Sequence, residues 1–257
     1  MIKIVWLFVQ VILKRIQQFK DTNYFWKRKV LNYNPIQEKL VLRLKKQFSS
    51  KWFIYNMHKI PTDLLKKSAY WREDIQFTQD VLGKPFHFTS TWGIFSPEKL
   101  DEGSLMLLDY IEFKADDHSI DLGCGYGVLG MTAARECPNG QHLLIDKDFV
   151  AVEYAKLNCQ KNHLNNAQVQ LSNGFRDVEK DKKFSLVMSN LPAKASKEQH
   201  YLYLLDAYNA METGARFYVV TINGLRDFMK RSFTEVFGNS DKIKQGKTYT
   251  ITRAVKD

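Results

Sequence analysis

The sequence predicts an α/β fold built on a doubly wound sheet and preceded by a basic extension. From residue 119 onward, short apolar runs alternate with longer stretches at helical spacing, as when strands are joined by crossover helices. One run, from Ser119, passes through an acid into a glycine-dense turn, SIDLGCGYGVLG, before an apolar helical pattern opens at Val128. The first third stands apart in charge: residues 1–85 hold 17 Lys and Arg against 6 Asp and Glu, whereas residues 86–257 hold 21 against 22. The formal net charge of +10 therefore resides in the N-terminal region, which predicts an anionic partner there, nucleic acid ahead of membrane. The chain is expected to divide into a basic, aromatic-rich, mainly helical region 1–85 and an α/β domain 86–257.

Residues 1–13, MIKIVWLFVQVIL, are nearly all apolar and run into Lys14-Arg15. They fall short of the roughly 20 residues that span a bilayer, and the following KRIQQFK lacks the small residues of a cleavage site. A helix packed on the protein is expected, with contact of residues 1–20 with a membrane surface as the alternative. From Asp21 to Lys84 cations interleave with aromatics, as in Tyr24-Phe25-Trp26 before Lys27-Arg28-Lys29. Such side chains could stack on unpaired bases and meet phosphates; aromatics at helical spacing more often fill a small core. Phe86 to Leu108 reads as a loop and helix start, with Ser96-Pro97 as cap and first-turn pair.

In the glycine turn, Gly123, Gly125 and Gly127 lack a Cβ, so the backbone can bend sharply and bring a ligand to the unpaired N–H groups of a helix start. Gly125-x-Gly127-x-x-Gly130 also satisfies the dinucleotide fingerprint, so the glycines alone leave the nucleotide cofactor open. Gln141 to Ile145 is the next strand, ending at Asp146, whose carboxylate can accept hydrogen bonds from both ribose hydroxyls. Phe149 to Asn162 is a helix capped by Asp148. Ala167 to Leu171 is a strand that runs into Ser172-Asn173-Gly174-Phe175, a turn by composition. Phe184 to Met188 is a strand continued by Ser189-Asn190-Leu191-Pro192-Ala193-Lys194. Lys197 to Met211 is a helix, Ala215 to Ile222 a strand, Gly224 to Phe237 a helix and Lys247 to Val255 a terminal strand. Cys124, Cys137 and Cys159 form an odd set without metal-ligand spacing, which predicts packing roles and a reducing, cytoplasmic setting. The six histidines are scattered, so no metal site is expected.

Asp121 with Gly123, Gly125 and Gly127 at one strand end, and Asn190 with Pro192 at another, resemble class I S-adenosylmethionine-dependent methyltransferases. Gly93-Ile94-Phe95-Ser96 and Leu100-Asp101-x-Gly103 narrow the resemblance to the small-subunit ribosomal RNA guanine-N2 methyltransferases and related archaeal proteins. Phe237-Gly238 and Gly246-Lys-Thr-Tyr249 resemble that family's final hairpin, and the likeness covers roughly residues 86–257. It implies a seven-stranded, mostly parallel, Rossmann-like sheet with an antiparallel terminal strand. It also implies S-adenosyl-L-methionine as cofactor, with Gly123, Gly125, Gly127 and Asp121 at the methionine end, Asp146 at the ribose and Asn173 near the adenine. The implied reaction is N-methylation of an exocyclic amine of RNA, guanine N2 of ribosomal RNA being the narrowest reading. In it the side-chain oxygen of Asn190 and the Leu191 carbonyl hold the amine, with Pro192 completing the motif. The sequence departs from the family's Asn-Pro-Pro-aromatic pattern at Leu191 and Ala193, so stacking on a flipped base is expected from Trp92 or Phe95. The rival readings are a non-catalytic RNA-binding or ribosome-associated protein on the same scaffold, and a methyltransferase for a protein amide or small molecule.

Overall fold

The computed structural model describes residues 62–257, so the apolar segment 1–13 and the cation–aromatic stretches before residue 62 lie outside the described residues. In chain order the elements are α1 (Thr62–Tyr70), β1 (Ile75–Val81), β2 (Lys84–Ser90), α2 (Glu102–Leu108), β3 (Ser119–Leu122), α3 (Val128–Glu136), β4 (His142–Asp146), α4 (Phe149–Lys161) and β5 (Ala167–Leu171). There follow β6 (Phe184–Asn190), α5 (Lys197–Ala210), β7 (Met211–Ile222), a single 3-10 turn, α6 (Arg226–Phe237), β8 (Asp241–Gln245) and β9 (Tyr249–Val255).

A strand apolar on both faces must lie between two layers. β3 is buried at every position, and β4 and β6 nearly so, which fixes them at the centre of a sandwich. Alternate residues serve opposite faces: Leu144, Leu186, Met188, Tyr218 and Val220 join one core cluster, while Leu143, Ile145, Val187, Phe217 and Val219 join the other. The seven strands are ordered β5-β4-β3-β6-β7-β9-β8. β5, β4, β3, β6 and β7 run parallel, and β9 is antiparallel to both β7 and β8. This is the doubly wound, mostly parallel sheet with an antiparallel terminal strand that the sequence predicts.

The order reverses at β3, whose neighbours are β4 on one side and β6 on the other. Chain connections leave that junction in opposite directions, so the carboxyl ends of β3 and β6 open on a crevice. Ser189 closes the joint beneath it: its buried Oγ donates to the Leu122 carbonyl at 2.6 Å. Outside the large sheet, β1 and β2 form an antiparallel pair through a Leu82-Gly83 turn in which both residues have positive φ, 52° and 74°. This hairpin, which the sequence reading treats as cation–aromatic chain and loop, passes through the 85/86 division. Asn158 on α4 seals it to the domain, accepting from the Thr89 N–H at 2.7 Å and donating to the Thr89 and Tyr126 carbonyls at 2.9 Å each. At the far edge, β8 is exposed at four of five positions and irregular in register between Lys242 and Lys244.

α3 is seated directly on β4. A Cβ on Gly130 would stand 2.3 Å from Cγ of Leu144, which is fully buried. Gly130→Ala should therefore lower stability by about 1–3 kcal/mol through overpacking. Urea unfolding midpoints check this, and an unchanged midpoint would mean that the helix can lift from Leu144 without loss.

Candidate active site

The turn after β3 is shaped by three glycines in the left-handed region, with φ of 76° at Gly123, 56° at Gly125 and 103° at Gly127. A Cβ at Gly123 or Gly125 would meet nothing within 4 Å, so conformation rather than crowding calls for glycine, and the space before the turn is open. The N–H groups of Gly123 and Cys124 both donate to the Ile145 carbonyl, at 2.9 and 3.0 Å, which pins the turn to the end of β4. Gly127 caps α3 without a side-chain oxygen, so the cap itself blocks none of the N–H groups of the helix start.

Asp121 lies on the face of β3 opposite Ile120 and Leu122, beneath α3, and is 1% exposed. Its Oδ2 accepts the Gly130 N–H at 2.8 Å, while its buried Oδ1 has no hydrogen-bond partner among the described residues. Burial pushes the carboxyl up from 3.8 to about 7; the Gly130 N–H opposes the shift, and the nearby Asp146 carboxylate adds to it. The second acid is better satisfied. Asp146 Oδ2 accepts the Gly125 N–H and Oδ1 the Asp148 N–H, both at 2.9 Å. Asp148 caps α4 as expected, accepting from the Val150 N–H at 2.8 Å. The Asp146 carbonyl takes the Ser172 N–H at 2.8 Å, which sets the exposed Asn173 beside this strand end.

Asn190 ends β6. Its Nδ2 donates to Asp101 Oδ2 at 2.8 Å and to Ser104 Oγ at 2.9 Å, while no hydrogen bond among the described residues reaches its Oδ1. Leu191 is 3% exposed, packs in the second core cluster, and extends the β6–β7 ladder by donating its N–H to the Val220 carbonyl at 3.2 Å. A leucine in place of proline thus adds a ladder bond and core area without projecting into the crevice. Pro192 and Ala193 are exposed; the Pro192 carbonyl lies 3.2 Å from His200 Nε2 and accepts the Ala195 N–H at 3.1 Å.

The segment between β2 and α2 is tied to the glycine turn by Tyr126, whose hydroxyl lies 3.1 Å from the Ser96 carbonyl and 3.3 Å from that of Lys99. Phe95 on this segment is 67% exposed, and Trp92 packs against Tyr70 with ring centroids 6.3 Å apart. Ser96 is not the helix cap expected from Ser96-Pro97: it has φ of 50°, and α2 begins only at Glu102, behind Asp101, whose Oδ2 accepts the Ser104 N–H at 3.0 Å. An aspartate cap leaves the preceding backbone free to make the Ser96 bend.

The structure therefore gathers Asp121, Gly123, Gly125, Gly127, Asp146 and Asn173 around one turn, with Asn190 across the β3–β6 joint. Sequence reasoning missed Ser104, Tyr126, Ser189 and Tyr249, and gave Asp101 no role of its own. For Asp101 the signal was present, an acid just ahead of an apolar helical pattern; for the others the partners are too distant in sequence. Among the described residues there is no group of three or more His, Cys, Asp or Glu placed to hold a metal ion, and no helix is long and apolar enough to cross a membrane.

A family model described as "Methyltransferase small domain" matches residues 85–253. The chain is 28% identical to the uncharacterized protein YbxB of Bacillus subtilis, over 67% of this chain and 87% of that one. It is 29% identical to ribosomal RNA large subunit methyltransferase G of Serratia proteamaculans, over 63% of this chain and 44% of that one. A solved Thermus thermophilus 16S rRNA N2 methyltransferase, in complex with AdoMet and guanosine, shares the fold with a TM-score of 0.66 at 23% identity, covering 72% of this chain and 51% of that one. The chain thus spans about half the length of those two ribosomal RNA enzymes.

The Asp121 carboxyl gives this site a pH signature. Its folded pKa of about 7 lies above the unfolded value of 3.8, so between these limits the folded state keeps a proton that the unfolded chain has lost. Stability should therefore fall as pH rises from about 4 to about 7, by about 4 kcal/mol more than in Asp121→Asn. Urea titrations of both proteins across that range decide it; parallel curves would assign the titration to other groups.

Proposed function

The chain belongs to the methyltransferase small domain family, and from that premise we propose that it methylates an exocyclic amine of RNA, guanine N2 of ribosomal RNA being the specific target. The cofactor is S-adenosyl-L-methionine, which supplies an electrophilic sulfonium methyl when bound. The residues present fit it. The orphaned Oδ1 of Asp121 would take the ammonium group of the methionine end, and the open cradle of Gly123, Gly125 and Gly127 its backbone. Asp146 would take the ribose hydroxyls and Asn173 the adenine. The dinucleotide alternative left open by the glycines falls with the family.

The observation that carries the reaction is the state of Asn190. With its N–H groups directed at Asp101 and Ser104, its Oδ1 is left as an acceptor that no hydrogen bond among the described residues uses, at the carboxyl end of β6. That oxygen and the Leu191 carbonyl would each accept one N–H of the target amine, which points the nitrogen lone pair along the line of transfer. Positioning of this kind supplies much of the rate, since the methyl already carries a good leaving group. Pro192 fixes the turn behind that carbonyl. The exposed Phe95, with Trp92 beside it, would replace the aromatic that Ala193 lacks and stack on the flipped base. The basic region 1–85 would hold phosphates, and a ribosomal RNA substrate places the work in the cytoplasm.

Support comes from the family and from relatives named as ribosomal RNA methyltransferases. The test uses tritiated S-adenosylmethionine with ribosomal RNA transcribed in vitro, followed by nucleoside analysis. Label in N2-methylguanosine is expected, and label confined to protein would favour the amide reading instead. Asn190→Ala should lower turnover at least about 10²-fold while leaving cofactor affinity nearly intact; equal turnover would remove Asn190 from the mechanism.

A further inference from the structure

Asn190 is oriented by a side chain 89 residues earlier in the sequence. Asp101 Oδ2 accepts one Nδ2 hydrogen at 2.8 Å and the Ser104 backbone N–H at 3.0 Å, and Ser104 Oγ lies 2.9 Å from the same nitrogen. The other carboxylate oxygen accepts the Tyr249 hydroxyl at 3.1 Å. Gly103 makes room for this arrangement: a Cβ there would stand 2.9 Å from both Asp101 Oδ2 and the Tyr249 ring. A primary amide has two N–H hydrogens, and here each has an acceptor. An ionised carboxylate cannot donate, so a flipped amide would set its oxygen against an anion.

We infer that Asp101, held in turn by Ser104 and Tyr249, is a positioning residue that locks the Asn190 carboxamide with its oxygen facing the incoming amine. The inference rests on the proposed amine-binding role of Asn190. Beyond orientation, the anion behind the amide polarises it, so Oδ1 becomes a stronger acceptor as positive charge develops on the amine. The cluster needs nothing from the cofactor side and acts only through Asn190.

The test pairs kinetics with a readout on the amide itself, in the full-length protein. Asp101→Ser keeps a capping oxygen for α2 but loses the second oxygen and the charge; Ser104→Ala removes the other acceptor. Both should lower kcat about 10-fold, with KM for the ribosomal RNA transcript and affinity for S-adenosylmethionine unchanged. Introduced into Asn190→Ala, Asp101→Ser should cost nothing further. A multiplicative loss in the double variant, or a loss that appears in cofactor affinity, overturns the inference. Nitrogen-15 spectra give the independent arm: the two Asn190 Nδ2 protons should exchange with solvent more slowly in the native protein than in Asp101→Ser. Exchange at the rate of a free amide in the native protein overturns the lock whether or not RNA is methylated. Absence of transfer to any RNA, with the amide protected, would instead count against the proposed substrate.

Discussion

The pairing of β3 with β6 is the constraint on which the rest depends. These two strands run side by side in register from Ser119 opposite Leu186 to Asp121 opposite Met188, yet in sequence they are separated by two helices and two strands. Because the intervening units wind to the other side of β3, no connection covers the joint. The glycine turn leaves from one lip and the Asn190 segment from the other, and both are anchored on strands with almost no freedom to shift. Ser189 is the detail that makes this specific, since its hydroxyl spans the two strands at the point where they part. A site built this way takes its accuracy from the core.

The two acids at the turn show how similar groups acquire different capacities from their surroundings. Asp146 faces partly outward and has a backbone N–H on each oxygen, and its remaining lone pairs can still accept from hydroxyls. Asp121 is buried, holds one N–H, and has one oxygen with no partner among the described residues. Its need is for a cation, and no cationic side chain among the described residues pairs with it. Burial of an under-satisfied carboxylate costs stability, a cost that binding sites commonly carry.

Much of the site was legible because it is local. The acid, the three glycines, Asp146 after its strand and Asn190 after its own each announce themselves within a few residues, and from β4 onward the spans agree with the expected ones to within about four residues at either end, except for β8, the short polar edge strand Asp241–Gln245, to which the sequence assigned no span. What escaped was contact across long separations, as with Tyr126 and Ser96, 30 residues apart, or Tyr249 and Asp101, 148 apart. The β1–β2 hairpin was missed for another reason. Its first strand does alternate, with Ile75, Phe77 and Gln79 more buried than Gln76, Thr78 and Asp80, but the period was hidden beneath a reading that sorted the region by charge and aromaticity. Its turn gave no help, because Leu82 in a left-handed conformation carries none of the Asn-Gly signal that marks a tight hairpin.

The outermost strand, β8, has a bearing on how the molecule meets its own copies. An edge strand presents a row of unpaired backbone groups that another chain could zip onto, the usual start of edge-to-edge aggregation. Here that edge is short, carries Lys242 and Lys244, and breaks its register between them. A second β8 brought alongside would meet like charges on a kinked ladder. The hairpin that ends the sheet therefore also blunts it, and on this side a protein at high concentration is guarded against growing by strand addition.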